Sequence, residues 1–252
     1  MMFRRALVAF LLLPILARAE TANVAVAANF TEPAKEIAAA FQSKTGDVVV
    51  LSFGASGNFA SQISHGAPFD VLLSADEIRP KQLIATRFAV AGSSFTYAVG
   101  KLVLWSHSAG LITGADTLKA GAFNKLAIAK PEAAPYGVAA IEALKALQLY
   151  DALEPKLVQG ASIAQAFQFI DTGNAELGFV ALSQVINNPE GSRWLVPQSL
   201  YTPIRQDAVL LSKGAGNAAA KAFLNFLKGP ESRRIIEKYG YAISSGVSNQ
   251  GA

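Results

Sequence analysis

The chain has 252 residues, with 22 Lys and Arg against 18 Asp and Glu, and it contains no Cys. Without Cys, and with only His65 and His107 standing far apart, the sequence offers no thiolate nucleophile and no zinc cluster. Hydrophobic residues make up 52% of the chain, which is enough to bury a substantial core without disulfides.

The first 19 residues have the pattern of a secretory signal peptide. Arg4 and Arg5 form a positive region, residues 6–16 are apolar, and residues 17–19 (Ala-Arg-Ala) supply a small-x-small cleavage site. The apolar run is too short for a membrane-spanning helix, which needs about 20 residues. We therefore expect an exported protein that is cleaved after Ala19 and begins at or near Glu20.

Cleavage changes the charge of the chain. Removing Arg4, Arg5 and Arg18 lowers Lys+Arg from 22 to 19 while Asp+Glu stays at 18, so the mature net charge is about +1. A protein that neutralises many phosphates needs a strongly basic surface. We therefore predict no nucleic-acid partner.

The mature chain alternates β-rich runs with helical patterns, which is typical of an α/β protein. The predicted strands are residues 24–27, 48–53, 69–73, 102–105, 126–129, 177–180 and 209–211. The predicted helices, which have apolar residues spaced three and four apart, are residues 33–44, 138–147, 163–170 and 218–227.

Four loops share an arrangement that suits an anion. In each, a strand leads into small residues and a helix begins directly afterwards; the loops are residues 24–31, 50–58, 126–137 and 157–162. A helix N-terminus exposes unpaired backbone N–H groups and the positive end of the helix dipole. The small pairs 27–28, 54–55 and 160–161 would let a ligand approach, and Asn29 and Ser56 add side-chain donors.

The same loops also have a simpler interpretation as ordinary helix caps. Asn29 and Ser56 are common capping residues, and Ser162 with Gln165 has the spacing of a capping box. The loops contain no Arg and only one Lys, Lys130, so a bound anion would be held by neutral donors. The residue pattern alone leaves ligand binding and capping both open.

Two patterns that imitate enzyme motifs fail on their context. Gly214-x-Gly216-x-x-Ala219 resembles a dinucleotide-binding loop, but no second βαβ strand with an acidic residue follows it. Residues 54–57 (Gly-Ala-Ser-Gly) lack the spacing of a nucleophile elbow. The anion loops offer no general base and no metal site, so we predict that the chain is not an enzyme.

Several spaced motifs occur in a recognisable order. They are residues 27–31 (Ala-Ala-Asn-Phe-Thr), 52–57 (Ser-Phe-Gly-Ala-Ser-Gly), 66–70 (Gly-Ala-Pro-Phe-Asp), 74–76 (Ser-Ala-Asp), 131–137 (Pro-Glu-Ala-Ala-Pro-Tyr-Gly), 227–230 (Leu-Lys-Gly-Pro) and 239–241 (Tyr-Gly-Tyr). Together they resemble the periplasmic molybdate-binding proteins of ABC importers (ModA type). The resemblance covers essentially the whole mature chain.

The resemblance implies a type II periplasmic-binding-protein fold. In this α/β architecture each of two lobes is a mainly parallel sheet flanked by helices, and the ligand lies in the interlobe cleft. Lobe I is expected at residues 20–97 and 206–252, and lobe II at residues 98–205. The resemblance also implies a monomer without a cofactor, which captures molybdate or tungstate in the periplasm and delivers it to an inner-membrane ABC permease.

Carried over position by position, the family's ligand contacts fall on Asn29, Ser56, Tyr136 and Ile163, with Ala28 adding its amide. Asn29 and Ser56 would donate from side chain and backbone, and the other two mainly from backbone. Many relatives have Ser where this chain has Asn29, and a Tyr hydroxyl that reaches the oxyanion where this chain has Ala181; the Asn29 amide would replace that donor. Sulfate or a small organic anion, and an exported enzyme, remain the alternatives.

Overall fold

The computed structural model describes residues 19–243 of the chain. The predicted signal peptide, apart from its last residue, lies outside the described residues, and so do residues 244–252 of the predicted lobe I. Within residues 19–243, no helix is both long enough and apolar enough to cross a membrane.

Two five-stranded sheets organise the described chain. The first has the strand order β2-β1-β3-β10-β4 and the second has the order β7-β6-β8-β5-β9. The first consists of β1 (Thr21–Ala27), β2 (Val48–Gly54), β3 (Val71–Leu73), β4 (Phe95–Gly100) and β10 (Ile204–Leu210). The second consists of β5 (Leu102–Ser106), β6 (Leu126–Ala129), β7 (Leu157–Gly160), β8 (Leu177–Ala181) and β9 (Ser192–Leu195). We call the halves built on these sheets lobe I and lobe II.

The two-lobed α/β architecture is confirmed, but each sheet is more mixed than the mainly parallel arrangement that was expected. The pairings β2–β1, β1–β3, β7–β6 and β6–β8 are parallel. The strand that enters each sheet from the other lobe, β10 in lobe I and β5 in lobe II, runs antiparallel to both of its neighbours. The strand that follows each interlobe passage therefore runs opposite to the strands beside it in its sheet.

The chain passes between the sheets twice. The first passage lies at Lys101, between β4 and β5, and the second lies between β9 and β10. The boundaries predicted at 97/98 and 205/206 fall inside β4 and β10, a few residues from these passages. That the two lobes move as separate units stays a prediction.

Helices cover both sheets. Lobe I has α1 (Thr31–Thr45), α2 (Ser56–Ser64), α3 (Ile78–Ala85), α9 (Ala218–Leu227) and α10 (Pro230–Lys238). Lobe II has α4 (Ala115–Ala120), α5 (Pro135–Ala146), α6 (Tyr150–Leu153), α7 (Ile163–Asp171) and α8 (Leu182–Val185). The four predicted helices correspond to α1, α5, α7 and α9, because their apolar residues at spacings of three and four form the faces that pack on the sheets.

Aromatic contacts fix helices to each lobe. In lobe I, Phe41 of α1 is fully buried and meets Phe223 of α9 edge to face, with ring centroids 5.5 Å apart. In lobe II, Trp105 of β5 stacks on Phe167 of α7 at 5.1 Å. Each pair buries a large apolar area, which dominates the local stability. The two contacts therefore anchor α1 to α9 in lobe I and α7 to β5 in lobe II.

The segment that imitates a dinucleotide-binding loop has a packing role. Gly214 lies between β10 and α9, and a methyl group on it would press against the backbone of Asp70. The strand before it, β10, is antiparallel to its neighbours, whereas a dinucleotide-binding loop follows a strand of a parallel sheet. The rejection of the oxidoreductase interpretation therefore agrees with the fold.

Candidate functional site

A cavity at the junction of the lobes is the point where the starts of several helices meet. It is lined by small residues, by the four predicted ligand contacts and by Pro135. The lining residues are Ala27, Ala28, Asn29, Gly54, Ala55, Ser56, Ala75, Ala134, Pro135, Tyr136 and Ile163. The structure therefore brings the four predicted site residues together, and none of these lining residues carries a charge.

Ser56 is the first residue of α2 and is 1% exposed. Its hydroxyl oxygen accepts a hydrogen bond from the backbone N–H of Ala75 at 2.9 Å, which leaves the hydroxyl proton to be donated elsewhere. The residue before it, Ala55, is the N-cap of α2, and no side chain caps this helix. The capping interpretation is therefore wrong for Ser56, and its hydroxyl is arranged as a donor at the cavity.

Asn29 lies in the short turn Ala28–Phe30 before α1 and is 2% exposed. Its side-chain amide donates to Gln206 Oε1 and to the Tyr241 hydroxyl, both at 2.9 Å. Because these two bonds use both amide protons, the expectation that this amide replaces a missing Tyr donor is wrong. The capping interpretation is also wrong, and the backbone N–H is the donor that Asn29 can offer to a ligand.

Tyr136 is the second residue of α5, directly after Pro135. Since Pro has no N–H, the Tyr136 amide is the first donor at this helix N-terminus. Its side chain is buried beside the first interlobe passage, where a methyl group on Gly100 would overlap the hydroxyl. Burial raises the pKa of Tyr136 well above its ordinary value, so the hydroxyl stays protonated. Tyr136 lines the cavity, and its hydroxyl lies 3.4 Å from Gln206 Nε2.

Ile163 begins α7, and the residue before it is a true helix cap. The Ser162 hydroxyl accepts from the Gln165 N–H at 3.3 Å, and Gln165 Oε1 accepts from the Ala161 N–H at 2.6 Å. The predicted Ser162–Gln165 pairing is present, with its return bond one residue earlier than in a capping box. Gly160 is outside the cavity lining, and a Cβ on it would lie 2.6 Å from the Ala166 nitrogen. The expectation that residues 160–161 give a ligand access is wrong, because this glycine serves helix packing.

The available donors converge on the cavity from both lobes. Among residues 19–243, the backbone N–H groups of Asn29, Ser56, Tyr136 and Ile163 make no hydrogen bond to the protein. Three of them stand at the starts of α2, α5 and α7, where the helix dipoles are positive. The described residues also contain no His, Cys, Asp and Glu cluster that could hold a metal ion. The arrangement suits an anion bound by neutral donors.

Comparison with known proteins identifies the family. The model of the bacterial extracellular solute-binding proteins matches residues 22–242. The molybdate-binding protein ModA of Rhodobacter capsulatus is 57% identical over 236 residues, covering 94% of this chain and 93% of the relative. That of Azotobacter vinelandii is 54% identical, covering 92% and 94%. The chain belongs to the ModA family of bacterial extracellular solute-binding proteins.

Solved structures agree with this assignment to the ModA family. The periplasmic molybdate-binding protein of Azotobacter vinelandii superposes with a TM-score of 0.85 at 40% identity, over 88% of this chain and 99% of that one. The sulfate-binding protein of Mycobacterium tuberculosis has a TM-score of 0.75 at 14% identity and covers 90% and 88%, which shows a common fold alone. Since the ModA family consists of solute-binding proteins, the prediction that the chain is not an enzyme is confirmed.

A buried polar network behind Asn29 was not predicted in this ModA-family chain. The Ser183 hydroxyl of lobe II donates to the Asn29 carbonyl at 2.7 Å, and the Tyr241 hydroxyl lies 2.9 Å from Ser183 Oγ. Tyr97 donates to Gln206 Oε1 at 3.1 Å. Burial raises the pKa of Tyr241 to about 12, so this hydroxyl remains a donor at neutral pH. Tyr241 belongs to a motif of the family resemblance, but Ser183 and Gln206 carry no local signal.

Ala181 is the position at which the family resemblance implied that one ligand donor is missing. Ala181 is fully buried and does not line the cavity, and its N–H donates to Gln184 Oε1 at 2.9 Å.

A larger groove beside the cavity is lined partly by the exposed Ile78 and Val138 and by charged side chains. That groove is lined by the carboxylates of Asp76, Glu77 and Glu142 and by none of the four predicted site residues, so the smaller cavity is the candidate ligand site of this ModA-family protein.

Proposed function

We propose that the protein captures molybdate, and tungstate, in the periplasm and delivers it to the permease of an ABC importer. One observation carries the proposal: four backbone N–H groups from both lobes and the Ser56 hydroxyl converge on a cavity whose lining has no charge. The two ModA relatives with more than half of their residues identical are named molybdate-binding, which supports the same ligand here.

The donor-only character of the cavity favours certain anions. A site without acceptors suits a tetrahedral dianion that carries no proton at neutral pH, as molybdate, tungstate and sulfate do. Phosphate near pH 7 is partly protonated, and burying its hydroxyl without an acceptor costs about 1–3 kcal/mol. Sulfate is smaller than molybdate because S–O bonds are shorter than Mo–O bonds. A cage of helix starts fitted to the larger ion leaves some sulfate oxygens too far from their donors.

We further propose that the working protein is a monomer that begins at or near Glu20. The support is the signal-peptide pattern of residues 1–19 and the periplasmic location named for the Azotobacter vinelandii relative. N-terminal sequencing of protein recovered from a periplasmic extract tests the cleavage site. Light scattering of the same sample tests the monomer. Residues 1–19 retained on membrane-bound protein would contradict the proposed location.

Calorimetric titration of the dialysed mature protein with molybdate, tungstate, sulfate and phosphate tests the ligand. We expect tight and similar binding of molybdate and tungstate, much weaker binding of sulfate, and hardly any binding of phosphate. Equal affinity for sulfate and molybdate would replace this proposal by a general oxyanion receptor. Tight phosphate binding would contradict the donor-only description of the cavity. Unchanged ligand recovered after incubation separates binding from turnover.

A further inference from the structure

The residue after Ser56 connects the two lobes. The backbone N–H of Gly57, in α2 of lobe I, donates to the Ala133 carbonyl of lobe II at 2.9 Å. Beside it, Arg79 Nη2 donates to the Glu132 carbonyl at 3.0 Å. The accepting loop runs directly into α5, whose Tyr136 N–H faces the cavity. Ser56 and Gly57 thus place a cavity donor and an interlobe bond on consecutive residues.

The backbone at Gly57 does not require glycine. Gly57 lies inside α2 and is not among the described residues with positive φ, so an alanine there would meet no conformational strain. Alanine is also the better helix former. What opposes a side chain there is the other lobe, because a Cβ on Gly57 would lie 3.0 Å from the Ala133 oxygen and 3.1 Å from its Cα. These are backbone atoms, so lobe II would have to give by a few tenths of an ångström to make room for a methyl group.

The third neighbour of that position is also fixed. A Cβ on Gly57 would lie 3.0 Å from Arg79 Nη2. The Arg79 guanidinium is paired with the Asp76 carboxylate, and the Arg79 N–H donates to Asp76 Oδ1 at 3.0 Å. The two side chains are only 17% and 12% exposed, so the guanidinium has little freedom to make room. The charge of Arg79 is neutralised by Asp76. Towards lobe II, Arg79 acts as a hydrogen-bond donor.

We propose that Gly57 is a positioning residue for ligand capture, whose missing side chain lets the Ala133 carbonyl of lobe II reach its N–H and hold the cleft shut over the anion. Arg79 provides a second bond between the lobes through the Glu132 carbonyl. We call the Gly57–Ala133 and Arg79–Glu132 bonds together the latch. The inference rests on the proposed function, because it concerns capture of that ligand. Both bonds exist only while the lobes touch, so they stabilise the closed form and not the open one.

The test compares Gly57→Ala with wild type and with Gly216→Ala as the matched control. Gly216 has open space around it and no positive φ, so alanine is accommodated there. Calorimetry with sodium molybdate measures affinity, and thermal unfolding without ligand measures the stability of the open form. We expect Gly57→Ala to bind about tenfold more weakly or worse, with an unliganded unfolding midpoint equal to or above that of wild type. Gly216→Ala should leave the affinity unchanged.

A second variant tests the other bond of the latch. Arg79→Lys keeps a cation beside Asp76 but removes the guanidinium nitrogen that reaches Glu132. We expect it to weaken molybdate binding severalfold while the unliganded midpoint stays near that of wild type. Wild-type affinity in Gly57→Ala would overturn the inference, whatever Arg79→Lys shows. A lowered unliganded midpoint in Gly57→Ala would also overturn it, because the contact would then matter without ligand.

The failure of the proposed function has a different signature. If wild type binds sulfate rather than molybdate, the molybdate assignment fails, and the same variants titrated with sulfate still test the latch. If wild type binds none of molybdate, tungstate and sulfate, the proposed function and the latch fall together. If wild type and Gly57→Ala bind the anion with equal affinity, the latch is contradicted and the proposed function stands.

Discussion

The Ser183 hydroxyl donates to the Asn29 backbone carbonyl at 2.7 Å, and this bond joins α8 of lobe II to the turn that precedes α1 in lobe I. The Asn29 side chain is held at the same time by Gln206 and Tyr241. Because its backbone carbonyl and its side-chain amide both make hydrogen bonds, the backbone of Asn29 is fixed beside the cavity. Contact between the lobes therefore orients a donor at the candidate site.

Ser183→Ala removes one donor from the Asn29 carbonyl without touching the cavity lining. Because a neutral hydrogen bond contributes about 0.5–1.5 kcal/mol, we expect molybdate affinity to fall about twofold to tenfold. Calorimetry measures the change. Ser64→Ala is the control, since its hydroxyl bonds within α2 to the Ala60 carbonyl and should leave binding unchanged. Unaltered affinity in Ser183→Ala would contradict the role of this bond.

Ser56→Ala removes the serine hydroxyl that lines the cavity. Hydrogen bonds to charged groups contribute about 1.5–3 kcal/mol, so molybdate affinity should fall about tenfold to a hundredfold. The buried Ala75 N–H also loses its acceptor, which should lower the free energy of unfolding by about 1 kcal/mol or more. Calorimetry and urea unfolding of one preparation measure the two effects.

Ser162→Ala is the matched control for that variant. Ser162 caps α7 and does not line the cavity, so its loss should lower the free energy of unfolding by about 1 kcal/mol and leave affinity nearly unchanged. If the two serine variants lost affinity equally, general destabilisation would explain the effect, and the Ser56 hydroxyl would not be a ligand donor.

Tyr136→Phe separates the contribution of the Tyr136 hydroxyl from that of its backbone N–H. Tyr136 lines the cavity at the start of α5, where its backbone N–H is unpaired, and its hydroxyl lies 3.4 Å from Gln206 Nε2. Removing the hydroxyl should therefore leave molybdate affinity within about threefold of wild type, because no ligand donor is lost. A loss as large as that expected for Ser56→Ala would show that the hydroxyl itself binds the anion. Calorimetry under identical conditions makes the comparison.

Glu176 stabilises lobe II in a pH-dependent way. Burial raises the pKa of Glu176, but bonds from the Asn124 and Lys125 N–H groups and the Asn124 side chain outweigh it and hold the pKa below its ordinary value. A lowered folded-state pKa contributes stability that is present above the unfolded pKa and is lost as pH falls through the folded one.

Glu176→Gln should therefore lower the free energy of unfolding at pH 7 by about 1 kcal/mol, a value reduced for the partial exposure of the carboxylate. The difference from wild type should shrink as the pH falls below about 4, where the wild-type carboxylate also becomes neutral. Urea unfolding at several pH values measures it. Glu237→Gln, at an exposed position on α10, is the control for the loss of a surface carboxylate at pH 7.

Local pattern was sufficient for much of the fold and for the placement of the cavity donors. The helix pattern at residues 218–227 matches α9 residue for residue, because its apolar face is regular and Asn217 caps it. Strands β4 and β9 were not predicted. Strand β9 (Ser192–Leu195) has only four residues, lies at a sheet edge and includes an exposed Arg193, so it lacks the apolar signal of a buried strand.

The interlobe contacts could not be predicted because they depend on residues far apart in sequence. Asn29 was expected to point its amide at the ligand, since nothing near it in the chain shows that Gln206 and Tyr241 take both amide protons. Gly57 belongs to the motif at residues 52–57, yet its contact with Ala133 appears only when the two lobes are assembled. Sequence periodicity reports which face of an element is buried, and not which distant partner covers it.

The position of β10 between β3 and β4 has a consequence for the order of folding. In the described chain β4 reaches the lobe I sheet only through β10, and β10 follows the whole of lobe II in sequence. Lobe II is continuous and needs no such long-range closure, which is entropically costly and slow. A chain exported with its N-terminus first, as we propose for this protein, can therefore complete lobe II while lobe I still lacks β10. Because the cavity is lined by residues of both lobes, we expect it to form only after both have folded.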